Sequence, residues 1–361
     1  MKSLVIEKNN LKNNIDCIKG MTSSTIIAVL KGNGYGMGIL EYAQFLVENG
    51  IDFFAVSEIE EALALRNNGF ENNILLLTST SVEEEADLLA CNNIIPTVGS
   101  INSASSINES GKRLEKIIDI HLKVDTGFGR FGFLASRIDE YLESLKSFEN
   151  IRIAGTYSHL SFSFAKKPRI IHTQFESFLK CVETIKSNGI NPGMLHIANS
   201  CAFLRFESTH LDAARIGSAF LGRVPIENKY GLKRVGFMRS KIIEVKDLPK
   251  GHYIGYANTF KTIHDTRIGV VPVGYKDGYG VEKAKDTFRF MDILRYIYND
   301  LKLFHKNMYV TVNGIKVKLL GRISMYNIIV DITGTDIKIG DEVTLDVNPV
   351  LIESSIIREF V

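Results

Sequence analysis

The sequence predicts an α/β chain in which a (β/α)8 barrel, residues 1–230, precedes a mostly β domain, residues 231–361. Three observations carry this. Short apolar segments rich in β-branched residues alternate with amphipathic ones in eight units over about 200 residues, the number a closed barrel needs. Beyond roughly residue 230 a period-two alternation takes over. No GxGxxG opens the first helix, so an open doubly wound sheet lacks its signature.

The first strand is 25–30, apolar and without helical period, and it ends on Lys31 in the run KGNGYGMG. Read alone, this stretch is a strand end with a solvated lysine and a glycine turn, or a place where backbone approaches a ligand. A helix at 41–49, a strand at 53–57 and the helical run 58–70 follow, with Gly69 as its C-terminal stop. Then come strand 74–78 and helix 81–91, which Ser81 is suited to cap. Strand 94–98 precedes a helix near 103–110, strand 118–124 a helix at 136–148, and strand 153–159 a long helix at 172–188. The seventh and eighth strands are 194–199 and 212–217. In the second domain, runs such as RIGVVPVGY, MYVTVNGIKVKLLG and DEVTLDV alternate strictly, and Asn-Gly and Asp-Gly pairs mark turns. The segment 281–308 is charged and partly amphipathic and reads as a helical insertion.

Composition narrows the function. A net charge of +2 gives no nucleic-acid footprint. No apolar run is long enough to span a membrane, and the N-terminal residues lack a signal-peptide core, so a cytoplasmic location is expected. Cys17, Cys91, Cys181 and Cys201 are scattered without a CxxC pair and read as reduced thiols, not as a disulfide frame or metal site.

In such a barrel, chemistry gathers where the strands end. Lys31 ends strand one; Lys123 lies on strand five, whose loop DTGFGRFG holds Arg130. His159 ends strand six, His196 with Asn199 and Ser200 comes from strand seven, and Arg215 with Gly217 and Ser218 from strand eight. Singly, each has a plain reading: a core histidine, an ion-paired arginine, or a Lys123 neutralised by Asp125. Together, the loops after strands seven and eight offer a phosphate corner of Ser200, Gly217 and Ser218, aided by a following helix start and by Tyr35. A phosphate site facing a lysine suggests pyridoxal 5'-phosphate, with Arg215 toward the ring nitrogen.

These residues lie in motifs that resemble the alanine racemase family of pyridoxal-phosphate enzymes. AVLKGNGYGMG, HLKVDTGFGRFG, YSHL, HIANS and ARIGSAFLG run in that family's order, and IGYANTF, VPVGYKDGY and GRISM continue it in the second domain. The resemblance implies a homodimer with shared active sites and D-alanine supply for peptidoglycan. It implies that Lys31 is the Schiff-base lysine and one catalytic base, and that Tyr256 from the partner subunit is the other. It further implies that Arg130 meets the cofactor and the substrate carboxylate, oriented by a carbamylated Lys123. His159 and Arg215 couple the tyrosine to the ring. Tyr35, Ser200, Gly217 and Ser218 contact phosphate, and Asn199 and His196 line the ring. The Met325 backbone N–H meets the substrate carboxylate, and Tyr275 lines the entrance.

The chain departs from the pattern at Met37, Leu221, Tyr326 and Ser354, where bulkier or polar residues are frequent. Loss of a pocket tyrosine would admit a side chain larger than methyl, so serine or broader racemisation is the alternative. A barrel decarboxylase would favour an acidic partner on the ring nitrogen. A non-catalytic pyridoxal-phosphate carrier would resemble the barrel alone.

Overall fold

The computed structural model describes residues 2–361. The chain divides into two compact units, Lys8–Val235 and a second made of Gly236–Val361 with the residues up to Glu7. The N-terminal residues were expected in the barrel. Instead β1 (Ser3–Ile6) pairs with strands of the second unit, antiparallel to Phe237–Lys241 and parallel to Ile357–Phe360. Its four side chains are all buried. Pairing between opposite chain ends leaves no local trace in a sequence.

The first unit is a closed parallel barrel. Its staves are β2 (Thr25–Val29), β3 (Phe53–Val56), β4 (Asn73–Ser79), β5 (Ile95–Val98) and β6 (Ile118–Asp125), then, past the short β7 (Phe133–Leu134), β8 (Ile151–Tyr157), β9 (Met194–His196) and β10 (Ala213–Ile216). Hydrogen bonding runs from β2 to β5, closes through β5–β6, and returns through β8, β9 and β10 to β2. Strands covered on both faces must be apolar throughout, and the all-buried FFAV of β3 is an example. Ile27, Val29, Phe53, Ala55, Leu75 and Ala213 pack together in one buried cluster.

The expected helices form with boundary changes, and Lys8–Lys19 and Ser200–Arg205 are helices that the periodicity did not mark. Gly69, at φ +83°, follows the helix Ile59–Asn67 and hydrogen-bonds back to Arg66. Ser81 does not cap: Val82 holds the cap position of Glu83–Cys91 without a side-chain bond, and the Thr80 hydroxyl accepts from Val82 N–H. Ser100, by contrast, caps Ile101–Arg113 by accepting from Ser103 N–H at 3.1 Å. No helix follows β10. The helix Lys8–Lys19 is instead fastened to that stretch by the buried Asn14, which donates to Phe220 and Lys233 carbonyls at 2.7 Å and accepts from Lys233 N–H at 2.7 Å.

The second unit holds a sheet built from β1, β11 (Phe237–Lys241), β12 (Glu244–Leu248), β15 (Thr266–Val271), β16 (Tyr309–Val312), β17 (Ile315–Leu320), β18 (Ile328–Asp331), β19 (Glu342–Asp346) and β20 (Ile357–Phe360). The hairpin of β13 (Tyr253–Ile254) and β14 (Phe260–Lys261) stands apart from it. Asn313 and Gly314, at φ +47° and +84°, make the tight turn joining β16 to β17, as the Asn-Gly pair predicts. Within 281–308, the helix is confined to Phe290–Leu301 with a 3-10 turn at Lys302–His305, and 281–289 has no regular structure. Among the described residues no helix is long and apolar enough to cross a membrane.

Candidate active site

A cavity of about 430 Å³ opens at the C-terminal ends of the barrel strands. Four cations, Lys31, Lys123, Arg130 and Arg215, line it, and among the described residues no carboxylate does. The arrangement is electrostatically incomplete without an anion.

Lys31 is placed by an unusual backbone. Gly32, Asn33, Gly34 and Tyr35 all have φ between +53° and +64°, so the chain leaves β2 through a left-handed turn. Such a run is unfavourable for L-residues other than glycine and, to a lesser degree, asparagine, which accounts for Gly32, Asn33 and Gly34 but not for Tyr35. Asn33 is pinned twice, its N–H donating to Glu61 Oε1 at 3.0 Å and its Oδ1 accepting from Ile39 N–H at 2.9 Å. Gly34 is buried with no room to spare: a Cβ there would lie 3.0 Å from Tyr42 Cδ1 and 3.3 Å from Ile39 Cα. Burial first, then the charge of Arg130, lowers the pKa of the Lys31 amine, with Glu61 opposing. A lowered pKa favours the neutral, nucleophilic form.

Arg215 is buried and has no ion pair among the described residues. It donates to Ser158 O at 2.7 Å, His196 O at 3.2 Å and Ile197 O at 3.3 Å. It also meets His196 Nδ1 at 2.7 Å and His159 Nδ1 at 3.4 Å. Burial pushes the guanidinium down to about 10. The two histidines are held well below the usual range, by burial first and then by Arg215. His159 lines the cavity. His196 does not: it is fully buried beneath Arg215 and stacked on Tyr157 at 4.7 Å, so it reaches the site only through the arginine. This corrects the expectation that it lines the ring.

Lys123 is buried with its Nζ 3.9 Å from the Tyr157 ring centroid. Burial first, then Arg215 and Arg130, holds its pKa well down. Asp125 is not its hydrogen-bonded partner. That carboxylate accepts from the N–H groups of Gly127, Phe128 and Gly129 at 2.8–2.9 Å and so shapes the loop that carries Arg130. Arg130 itself lies over the Phe128 ring at 4.7 Å and near Phe131 at 5.6 Å, and no hydrogen bond within the chain engages its guanidinium among the described residues.

The phosphate corner differs from expectation in detail. Ser200 Oγ accepts from Gly217 N–H at 3.0 Å and Ala219 N–H at 3.3 Å, which occupies the Gly217 donor and leaves the Ser200 O–H and the Ser218 N–H for an anion. No helix follows β10, but the helix Ser200–Arg205 after β9 starts in this corner with Asn199 as its N-cap. The Tyr35 hydroxyl lies against Gly217, whose missing Cβ would stand 2.4 Å from it, and burial pushes that phenol up to about 12. Asn199 is occupied as an N-cap, accepting from Ala202 N–H at 3.1 Å, while still lining the cavity. Met37 and Leu221 are fully buried and do not line it.

The remaining expected residues belong to the second unit. Tyr256 sits at the tip of the β13–β14 hairpin, 69% exposed, flanked by Gly255 at φ +77° and Ala257 at φ +57°. Met325 and Tyr326 occupy the middle of a turn closed by Ser324 N–H to Asn327 O at 3.0 Å, and both are exposed. The Met325 N–H is unengaged among the described residues. Exposed Tyr275 donates its N–H to Ser324 O at 3.1 Å. The hairpin is close to the same turn, since a Cβ on Gly255 would lie 3.3 Å from Arg322 N. Ser354 is exposed and hydrogen-bonded to Glu353. Sequence reasoning missed Tyr157, Phe128 and His121. The last shares a strand face with Lys123 two residues on, and that spacing was the available signal.

The family model of the alanine racemase N-terminal domain matches residues 6–225, and that of the C-terminal domain matches 235–349. The chain is 32% identical to an alanine racemase of Clostridium novyi, with 98% of this chain and 88% of the relative covered. It is also 32% identical to one of Methanococcus maripaludis, covering 94% and 87%. It superposes on the alanine racemase of Clostridium difficile 630 with TM-score 0.85 at 26% identity, covering 98% and 93%. The structure of a Bacillus anthracis alanine racemase with bound L-Ala-P matches with TM-score 0.82 at 25% identity, covering 98% and 92%. Matched over both halves, the chain belongs to the alanine racemase family.

Proposed function

We propose that this protein is a pyridoxal-phosphate-dependent racemase that interconverts L- and D-alanine as a cytoplasmic homodimer, supplying D-alanine for peptidoglycan. The observation that carries this is the cavity of four cations without a carboxylate, into which a lysine of lowered pKa projects. That donor set fits a phosphate-bearing aldehyde cofactor with a carboxylate substrate. Ser200, Ser218 and Tyr35 would hold the phosphate, Arg215 would face the ring nitrogen, and Lys31 would hold the aldehyde carbon.

When bound, the cofactor supplies an electron sink that acidifies the substrate α C–H. Inversion then requires a proton acceptor on one face and a donor on the other, exchanging roles with direction. Lys31 serves one face, and Tyr256 of the partner subunit serves the other. Arg215 is a donor on every nitrogen, so it does not deliver a carboxylate's charge to the ring. That limits carbanion lifetime and favours reprotonation over transamination. Arg130, with its guanidinium unengaged, would take the substrate carboxylate with the Met325 N–H, and Tyr275 would line the entrance. Lys123, buried with no direct ion pair among the described residues, suits carbamylation. Its neutral amine would add to carbon dioxide and release a proton, setting a negative group beside Arg130. Asn199 lines the cavity and His159 links Tyr256 to Arg215.

The test is a racemisation panel of Ala, Ser, Lys, Arg and ornithine with the purified holoprotein. The expected result is alanine as the best substrate by kcat/KM. Faster turnover of serine or a basic amino acid would overturn the substrate assignment, and carbon dioxide release without racemisation would overturn the reaction.

A further inference from the structure

Arg215 is held by a chain of rings that runs away from the cavity. Its Nη1 meets His196 Nδ1 at 2.7 Å, and His196 Nε2 meets His121 Nδ1 at 2.9 Å. A guanidinium has donors only, so His196 Nδ1 must accept. A neutral His196 then carries its proton on Nε2 and donates it to His121 Nδ1, which leaves the His121 proton on Nε2. The chain ends there. His121 is 2% exposed, packed edge-on to Phe53 and Tyr157 at 6.0 and 6.5 Å, and its ring edge is the atom group a Cβ on Gly155 would strike at 2.7 Å. Among the described residues no further hydrogen-bonded side chain continues it, so His121 is the terminus.

We propose that His121 is a positioning residue: by accepting the His196 Nε2 proton, its Nδ1 acts together with Arg215 to hold His196 in the tautomer that accepts from the guanidinium, and thereby keeps that guanidinium turned to the cavity. The proposal rests on the reading of Arg215 as the cation facing the cofactor ring. If the acceptor at His121 Nδ1 is lost, His196 is free to carry its proton on Nδ1. That proton would then confront an Arg215 N–H at 2.7 Å, and the guanidinium must move.

Three substitutions separate this from a packing role. His121→Asn keeps an acceptor oxygen at the Nδ1 position in a smaller side chain. His121→Leu fills the space without an acceptor, and His121→Gln puts its amide at the Nε2 position instead. The tautomer reading expects His121→Asn to stay within about threefold of the unsubstituted kcat/KM, with the other two reduced at least tenfold. A packing role expects the opposite order, because Leu and Gln fill the site better than Asn. Ring-nitrogen shifts of ¹⁵N-histidine-labelled protein give a readout independent of activity. The unsubstituted protein and His121→Asn should show His196 unprotonated at Nδ1, and His121→Leu a tautomer mixture.

Protonated Nδ1 on His196 in the unsubstituted protein overturns the proposal, and so does equal impairment of the Asn and Leu variants. The first of these is decisive even if no variant folds. If the tautomers are as stated while no amino acid is racemised, the proposed function fails and the positioning inference stands.

Discussion

Replacing Gly34 with alanine tests why the lysine turn is built as it is. Gly34 has φ +64° and ψ +41°, where an L-residue costs about 1–2 kcal/mol. Alanine recovers about 0.4–1 kcal/mol by restricting the unfolded chain. Gly32 has the same φ of +64°, but nothing lies within 4 Å of its ideal Cβ. The backbone terms therefore cancel between the two sites, leaving Gly32→Ala at a net cost of about 0 to 1.6 kcal/mol. At Gly34 the new methyl also meets Tyr42 Cδ1 at 3.0 Å and Ile39 Cα at 3.3 Å. Overpacking of this kind adds about 1–3 kcal/mol, because Ile39 is backbone and begins the helix Ile39–Glu48. Urea unfolding followed by far-ultraviolet circular dichroism should rank Gly34→Ala below Gly32→Ala by that margin. Pyridoxal phosphate affinity should fall with it, since Lys31 and Tyr35 flank the turn. A Gly34→Ala protein as stable as Gly32→Ala would refute the steric account of this loop.

Gly217→Ala should displace the Tyr35 ring, because its Cβ would stand 2.4 Å from the Tyr35 hydroxyl, and equilibrium titration should show weaker pyridoxal phosphate binding with little change in fold. Stability should depend on pH through the barrel histidines. His121 is pushed down to about 4 by burial, and His159 and His196 are held well below their usual range, so all three fold neutral. The unfolded chain protonates them near 6.5, so stability is full above that pH and is lost as pH falls toward 4, by about 1.4 kcal/mol per unit per histidine. Urea midpoints that stay flat between pH 6.5 and 4.5 would contradict this. Tyr256→Phe should retain cofactor binding yet lose exchange of the L-alanine α-proton with deuterated solvent, and Lys31→Ala should lose the long-wavelength absorbance of the bound cofactor.

The barrel was legible because parallel strands covered on both faces are short apolar runs, as in FFAV at Phe53–Val56, and helices between them declare their period. The Asn313–Gly314 turn was legible because its backbone requires those residues. What could not be read was non-local or dependent on the hand of the chain. The pairing of β1 with β20 joins residues more than 350 apart in the chain. The glycines after Lys31 announced a turn but not its left-handed run. Asp125 next to Lys123 suggested an ion pair, yet the short aspartate side chain turns back onto its own loop, as aspartate does in Asx turns. The residues lining the cavity were largely readable because they end strands. His196 and His121 point below that layer, and only the assembled barrel reveals what they touch.

The central claim is that the site is completed by Lys31 of one subunit and Tyr256 of the partner. Mixing Lys31→Ala and Tyr256→Phe proteins, each inactive alone, under conditions of subunit exchange tests it most directly. Random reassociation makes half the dimers mixed, and each mixed dimer carries one intact site, so about a quarter of the unsubstituted alanine racemisation should return. Recovery near that level is the predicted result. No recovery, with mixed dimers demonstrated by mass, would contradict a site shared between subunits.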